Sequence, residues 1–266
     1  MIAWLLVLLL SCSSDTDAGQ QALRTHDLAG AEAAFRRALA RSPDDAEALA
    51  GLGWTYLLAG QIGAASGTFS RCALAAPAEA ECLRGQSSVA LAENNVPRAR
   101  GLLMQAQQLA PEDPKVLSSV ALLELLSGEL TVAEDRYRQL VRRYPEEAEY
   151  KLGLARLLMR TGRYDEVREL TTAALALEET AVRYRSMLWV VHAQAIVAST
   201  AGRDDPARCA ETAPPVLAWL DAAETALDNA EVTGVKPPDL AKVRRQVARR
   251  RAAVQDGCPS VSGSGG

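Results

Sequence analysis

The sequence predicts an all-α fold, a solenoid of helical hairpins closed by a C-terminal capping helix. Three observations carry that prediction. Alanine supplies 49 of the 266 residues, against two phenylalanines and four tryptophans. Alanine is the best helix former and is depleted from strands, so an all-β fold is excluded. Pro43, Pro77, Pro111 and Pro145 stand 34 residues apart, and a helix-breaker at a strict interval marks a repeating helical unit. That regularity stops near Glu179, where longer helical patterns take over, as a solenoid needs to cover its last apolar face. The chain is 48% apolar and 23% charged, which excludes wholesale disorder, and its net charge of −4 does not suit a nucleic-acid partner.

The first element is an address. Ile2 to Leu10 is an apolar run with no Lys or Arg before it, far short of the ~20 residues that span a bilayer and suited to a signal-peptide core. Leu9-Leu10-Ser11-Cys12 resembles the bacterial lipobox. That resemblance implies a signal peptide over 1–11, cleavage before Cys12, lipid on its sulfur and a tether over 12–19. It also implies a membrane partner through that lipid and a mature chain outside the cytoplasm. Ser13, in place of Asp, points toward the outer membrane, facing the periplasm. An ordinary signal peptide with an incidental cysteine, or a short N-terminal anchor, is the other reading.

The repeats come next. Twelve residues before each proline stand Ala31, Ala65, Ala99 and Ala133; eight before, Phe35, Phe69, Leu103 and Tyr137; five before, Ala38, Cys72, Ala106 and Leu140. Small residues let two helices approach, and the aromatic or leucine fills the gap between them. Seventeen before the prolines stand His26, Gly60, Asn94 and Gly128, near helix ends, where Gly and Asn tolerate a left-handed cap. Leu49, Leu52-Gly53, Tyr56, Gly60, Ala65, Phe69 and Pro77 resemble the tetratricopeptide repeat. Repeat three departs with Gln86-Ser87 where Leu-Gly is usual. The resemblance implies a right-handed α-solenoid with five units over 20–181. The fifth is the least regular, with Val167, Thr171 and Glu179 in place of the small residue, the aromatic and the proline.

Beyond it, 182–257 reads as a degenerate hairpin and capping helices. One helix covers about 181–200, with Tyr184, Met187, Leu188, Val191, Ala195 and Ala198 as its stripe. Pro214-Pro215 opens the next, with Val216, Leu220, Ala223 and Leu227 inward. The last runs over about 239–255 on Leu240, Val243, Val247 and Val254. The Ser/Gly-rich stretch 258–266 reads as a disordered tail.

Five cysteines are an odd number for an exported chain. Setting Cys12 aside leaves four. In this kind of repeat, Cys72 and Cys82 lie where adjacent helices meet, and a bridge between Cys209 and Cys258 pins the cap to the body. Four buried free thiols are the alternative. Neither pair has zinc-ligand spacing, and no metal or cofactor is expected.

Catalytic constellations are scarce. His26 and His192 fall in separate hairpins and read as structural. No nucleophile elbow, zinc-protease helix or phosphate loop appears. The acidic pairs Asp44-Asp45, Glu146-Glu147 and Glu178-Glu179 read as helix N-terminal charges. No enzyme activity and no small-molecule substrate are expected.

The resemblance places the working surface on the concave face, lined by the first helix of each hairpin. Trp54, Leu57, Arg84, Leu91, Leu122, Leu125, Arg156 and Met159 fall there, with Ala50, Ser88, Ser118 and Leu152. The face reads as apolar with two isolated cations, a groove for an amphipathic helix or extended peptide anchored by Trp54. Equally, several of these side chains pack between neighbouring first helices. The last helix holds Lys242, Arg244, Arg245, Arg249, Arg250 and Arg251 with no acid over 240–254. It reads first as a solvated outer face, and second as a patch for anionic lipid or an acidic partner. The expected function is a lipid-anchored, pilotin-like interaction adaptor of a bacterial envelope. The alternatives are an adaptor recruiting a periplasmic enzyme such as a peptidoglycan hydrolase, and an envelope-surface binder using the basic helix.

Overall fold

The computed structural model describes residues 15–203 and 208–258, and no strand occurs among them. α1 covers 15–24. It is followed by α2 (Leu28–Arg41), α3 (Ala46–Leu58), α4 (Ile62–Ala75), α5 (Ala80–Ala92), α6 (Val96–Leu109) and α7 (Pro114–Ser127). Then come α8 (Leu130–Arg143), α9 (Ala148–Arg160), α10 (Tyr164–Leu175), α11 (Val182–Ser199), α12 (Cys209–Val232) and α13 (Leu240–Gly257). The chain divides into two compact units, Met1–Arg136 and Tyr137–Gly266.

In the first unit, consecutive helices pair, and the first helices α3, α5 and α7 also meet directly. Aromatic plugs drive this packing. Phe35 and Phe69 are wholly buried, and each sits against glycine backbone on both sides. A Cβ at Gly19 or Gly51 would fall 2.6 or 2.3 Å from the Phe35 ring; at Gly53 or Gly85 it would fall 2.7 or 2.1 Å from Phe69. Removing Cβ lets the ring approach the helix backbone. Leu103 is smaller, and the positions equivalent to Gly53 and Gly85 are Ser87 and Ser119. The Ser87 departure thus falls beside the smallest of the four plugs, whereas each aromatic plug has glycine on at least one side.

The turns obey the same period. His26, Gly60, Asn94, Gly128 and Gly162 all take positive φ, between 58° and 84°. Asp27, Asp45, Asn95 and Asp113 then cap the following helices, each accepting from a first-turn N–H at 2.7–3.1 Å. The reading of Asp45 as a helix N-terminal charge therefore holds in detail.

In the second unit, α9 and α10 form a hairpin, and Tyr137 of α8 packs on α9, where a Cβ on Gly153 would sit 2.3 Å from that ring. α11 packs on α9, α10, α12 and α13. Its buried residues include Ser186, Leu188, Val190, Val191, Ala193, Ala195 and Ile196, on more than one side. The single stripe expected for it is therefore corrected: a helix enclosed by neighbours is apolar around its circumference. Ser186 is buried by donating toward the carbonyls of Ala230 and Val235, 3.3 and 3.1 Å away. The inner faces expected for the last two helices are buried as a continuous core.

Three boundaries differ from expectation. The tether over 12–19 is helical from 15 onward, and Asp15 is buried between Arg37 and Arg41 at 3.0 and 2.5 Å. Pro214 and Pro215 lie inside α12, which starts at Cys209. Their missing N–H groups and ring bulk fall within the first two turns, where buried Ala213, Val216 and Leu220 hold the helix to the core. Cys258 is ordered and bonded, so only 259–266 of the expected tail, with Cys12 and the signal segment, lie outside the described residues.

Candidate functional site

By register, the first helices of the first unit place Glu47, Ala50, Trp54 and Leu57 on one face of α3. Glu81, Arg84, Ser88 and Leu91 take the matching positions on α5, and Lys115, Ser118, Leu122 and Leu125 on α7. Trp54 and Leu57 are half-buried, as are Leu91 and Leu122. Leu125 is buried, while its neighbour Leu126 is 54% exposed. The sequence reading missed Leu126, although it lies one residue from the predicted ladder.

The polar part of this face differs from the reading of isolated cations. Arg84 forms a two-pronged pair with Glu81, its Nε and one Nη donating at 2.8 and 2.5 Å. Its guanidinium also lies 4.3 Å from the Trp54 ring centre. The Trp54 indole N–H donates to Glu81 at 2.7 Å, and the ring meets Phe69 edge-on at 5.2 Å. Burial pushes the Glu81 carboxyl up, but Arg84, Lys115 and the Trp54 N–H together hold it below the ordinary value. Trp54 therefore serves a link between repeats as well as lining the face. The i,i+3 spacing of Glu81 and Arg84 was a readable signal for this pair.

In the second unit, Arg156 is exposed and reaches the Met187 sulfur at 3.5 Å; Met159 is half-buried. A cleft of about 650 Å³ opens between α10 and α12 over α11, lined in part by Arg168, Thr172, His192, Ile196 and Trp219. Arg168 and Arg203 lie 5.0 and 4.7 Å from the Trp219 ring centre. His192 Nδ1 is 2.8 Å from the Thr171 hydroxyl. Burial, then the nearby Arg168 charge, hold its imidazole below the usual histidine value. Burial and Glu149 push the Tyr184 phenol up, and its hydroxyl donates to Glu149. Thr171 and Glu149 thus supply partners for His192 and Tyr184, while the buried Arg168 Nε has no hydrogen-bond partner.

The basic helix is partly committed to its own fold. Arg244 pairs with Asp228 and Glu231 at 3.0 and 3.1 Å, and Arg251 with Asp221 and Glu224 at 2.6 and 3.0 Å. Arg250 donates to the Thr200 carbonyl at 2.6 Å. Lys242, Arg245 and Arg249 are exposed. Cys72 and Cys82 form one disulfide and Cys209 and Cys258 another, with Cα separations of 5.5 and 5.3 Å. Among the described residues no group of three or more His, Cys, Asp or Glu could hold a metal, and no helix is long and apolar enough to cross a membrane.

Comparison with known proteins agrees with the periodicity. Tetratricopeptide repeat profiles match residues 22–88 and 121–183. No curated protein matches the sequence. A thermophilic TPR protein of Thermus thermophilus superposes with a TM-score of 0.57 at 24% identity, covering 66% of this chain and 98% of its own. A chain of the APC/C hetero-tetramer gives 0.63 at 13% identity over 89% of this chain and 42% of that one. Pseudomonas aeruginosa pilF gives 0.51 at 15% identity, covering 90% and 99%. At these identities the likeness is one of fold. Repeats of this kind are generally non-catalytic scaffolds, and the fold supports a protein–protein interaction role. With its in-phase prolines, aromatic plugs and left-handed turns, the chain belongs to the tetratricopeptide repeat family.

Proposed function

We propose that this protein is a lipid-anchored, extracytoplasmic adaptor of a bacterial envelope, similar in role to pilotin lipoproteins. It holds a protein partner on the concave face of its repeats. The observation that carries the reading is the cysteine pairing. Four of the five cysteines are consumed in two disulfides, which persist in oxidising compartments, and the fifth is the lipobox Cys12. Palmitate labelling of the chain in a bacterial host tests the anchor. Label lost in Cys12→Ala, with release from the membrane fraction, is the expected result; unlabelled parent protein overturns it. Partner capture from crosslinked envelopes tests the groove. Leu126→Ser is the cleaner variant, because Trp54 also joins two repeats. Capture unaffected by Leu126→Ser combined with Leu91→Ser counts against the groove.

A second reading has one observation in its favour. Lys242, Arg245 and Arg249 are exposed at i, i+3 and i+7 of α13, a single cationic face suited to an anionic surface. Cosedimentation with vesicles containing anionic lipid, lost in a triple Glu variant, supports it; equal sedimentation of parent and variant removes it.

A further inference from the structure

The face built by the first helices of the first unit has two rows, and they differ in chemistry. The last turns of α3, α5 and α7 bring Leu57-Leu58, Leu91-Ala92 and Leu125-Leu126 into one register, with Trp54 and Leu122 a turn behind. Leu57, Leu58, Leu91 and Leu122 are half-buried and Leu126 is more than half exposed. Because the first helices pack directly on one another, these apolar steps follow the interhelical distance of about 8–10 Å. Each step is more than one side chain wide. A helix laid across them offers residues i, i+7 and i+14 at about 10 Å intervals, with an apolar stripe of matching width.

The first turns of the same helices are charged, and one register position runs from Glu47 and Glu81 to Lys115 along the repeats. Glu47 on α3 and Lys115 on α7 are both exposed. Between them, Glu81 is matched by Arg84 at 2.5 Å. With Asp45, Glu79 and Asp113 at the heads of the three helices, the groove is therefore most negative at its α3 end and least so at α7, where Lys115 offsets Asp113. The step from Glu47 to Trp54 is about 10 Å along the helix, within reach of long side chains flanking a docked helix.

We propose that the first unit takes an amphipathic helix of the partner lengthwise across α3, α5 and α7. Its apolar residues recur every seventh position, its basic end lies over Glu47 and its acidic end over Lys115. The proposal rests on the groove reading above and adds the occupant's conformation and polarity to it.

The test uses the full chain and a helix-constrained peptide of about eighteen residues. The peptide carries leucines at i, i+7 and i+14, lysines flanking the first and glutamates flanking the last. Fluorescence anisotropy reads affinity. Glu47→Lys and Lys115→Glu are each expected to weaken binding about threefold to tenfold, less at high salt. The double reversal is expected to restore it, because the peptide can then lie the other way round. Equal affinity for the parent and both single reversals overturns the polarity. If that equality accompanies binding lost in Leu126→Ser, the groove stands and only its polarity falls. Binding indifferent to Leu126→Ser overturns both, and no binding to the parent overturns the helical occupant.

Discussion

The Trp54 indole N–H donates to Glu81 at 2.7 Å, across the boundary between two repeats. Glu81 in turn holds Arg84, whose guanidinium lies over the same indole. The carboxylate thus satisfies donors on both helices, and its depressed pKa makes that link dependent on pH. A group whose folded pKa lies below its unfolded value, about 4.3 for glutamate, stabilises fully above the unfolded value. The contribution is lost as pH falls through the folded one. Thermal melts of the parent are expected to fall more steeply below about pH 4.3 than those of Glu81→Gln. Parallel curves count against the link.

Glycine has two distinct duties in the repeats, and alanine substitutions separate them. At Gly85 a Cβ would sit 2.1 Å from the buried Phe69 ring. Gly85→Ala is expected to cost about 1–3 kcal/mol, less the gain of about 1 kcal/mol in helix propensity. At Gly128 φ is 84° and nothing lies within 4 Å of the added Cβ. Gly128→Ala is expected to cost about 1 kcal/mol from backbone strain alone. Combining Gly85→Ala with Phe69→Leu, a smaller plug as in the natural Leu103 repeat with Ser87 and Ser119, should recover part of the first loss and leave the second untouched. Urea midpoints measure all three.

The disulfides differ in the loop each closes. Cys209–Cys258 spans 49 residues and Cys72–Cys82 spans 10. On the chain-entropy account their loss costs about 4 and about 3 kcal/mol. Cys209→Ala with Cys258→Ala is expected to lower the urea midpoint more than the other pair. Non-reducing peptide mapping should find both crosslinks; free thiols at all four positions contradict them.

On α13, identical side chains have unlike roles. Arg251 pairs with Asp221 and Glu224, and Arg250 donates to the Thr200 carbonyl. Arg249 is exposed. Arg250→Ala is expected to cost about 1–2 kcal/mol by leaving a part-buried acceptor without its charged donor. Arg249→Ala should stay within about 0.5 kcal/mol. Chemical denaturation of the two variants makes the comparison.

Residue spacing alone was enough for the hairpins, their turns and the inner faces of the last two helices. A helix reports its buried side through a 3.6-residue period, and a repeat reports itself through translation. The pairing of Cys72 with Cys82 and of Cys209 with Cys258 was one of two readings, free thiols being the other, and the structure forms both bridges. What spacing could not convey was the use of each polar group. Arg84 and Arg156 both fall on the predicted face, yet Arg84 is tied to Glu81 and Trp54 while Arg156 is exposed and reaches the Met187 sulfur. Likewise α13 reads as six equivalent cations, and packing against α12 and the Thr200 turn engages Arg244, Arg250 and Arg251. Such outcomes depend on which acid or carbonyl a neighbouring helix brings within 3 Å. A one-dimensional pattern records the face of a side chain, but its partner exists only after the helices pack.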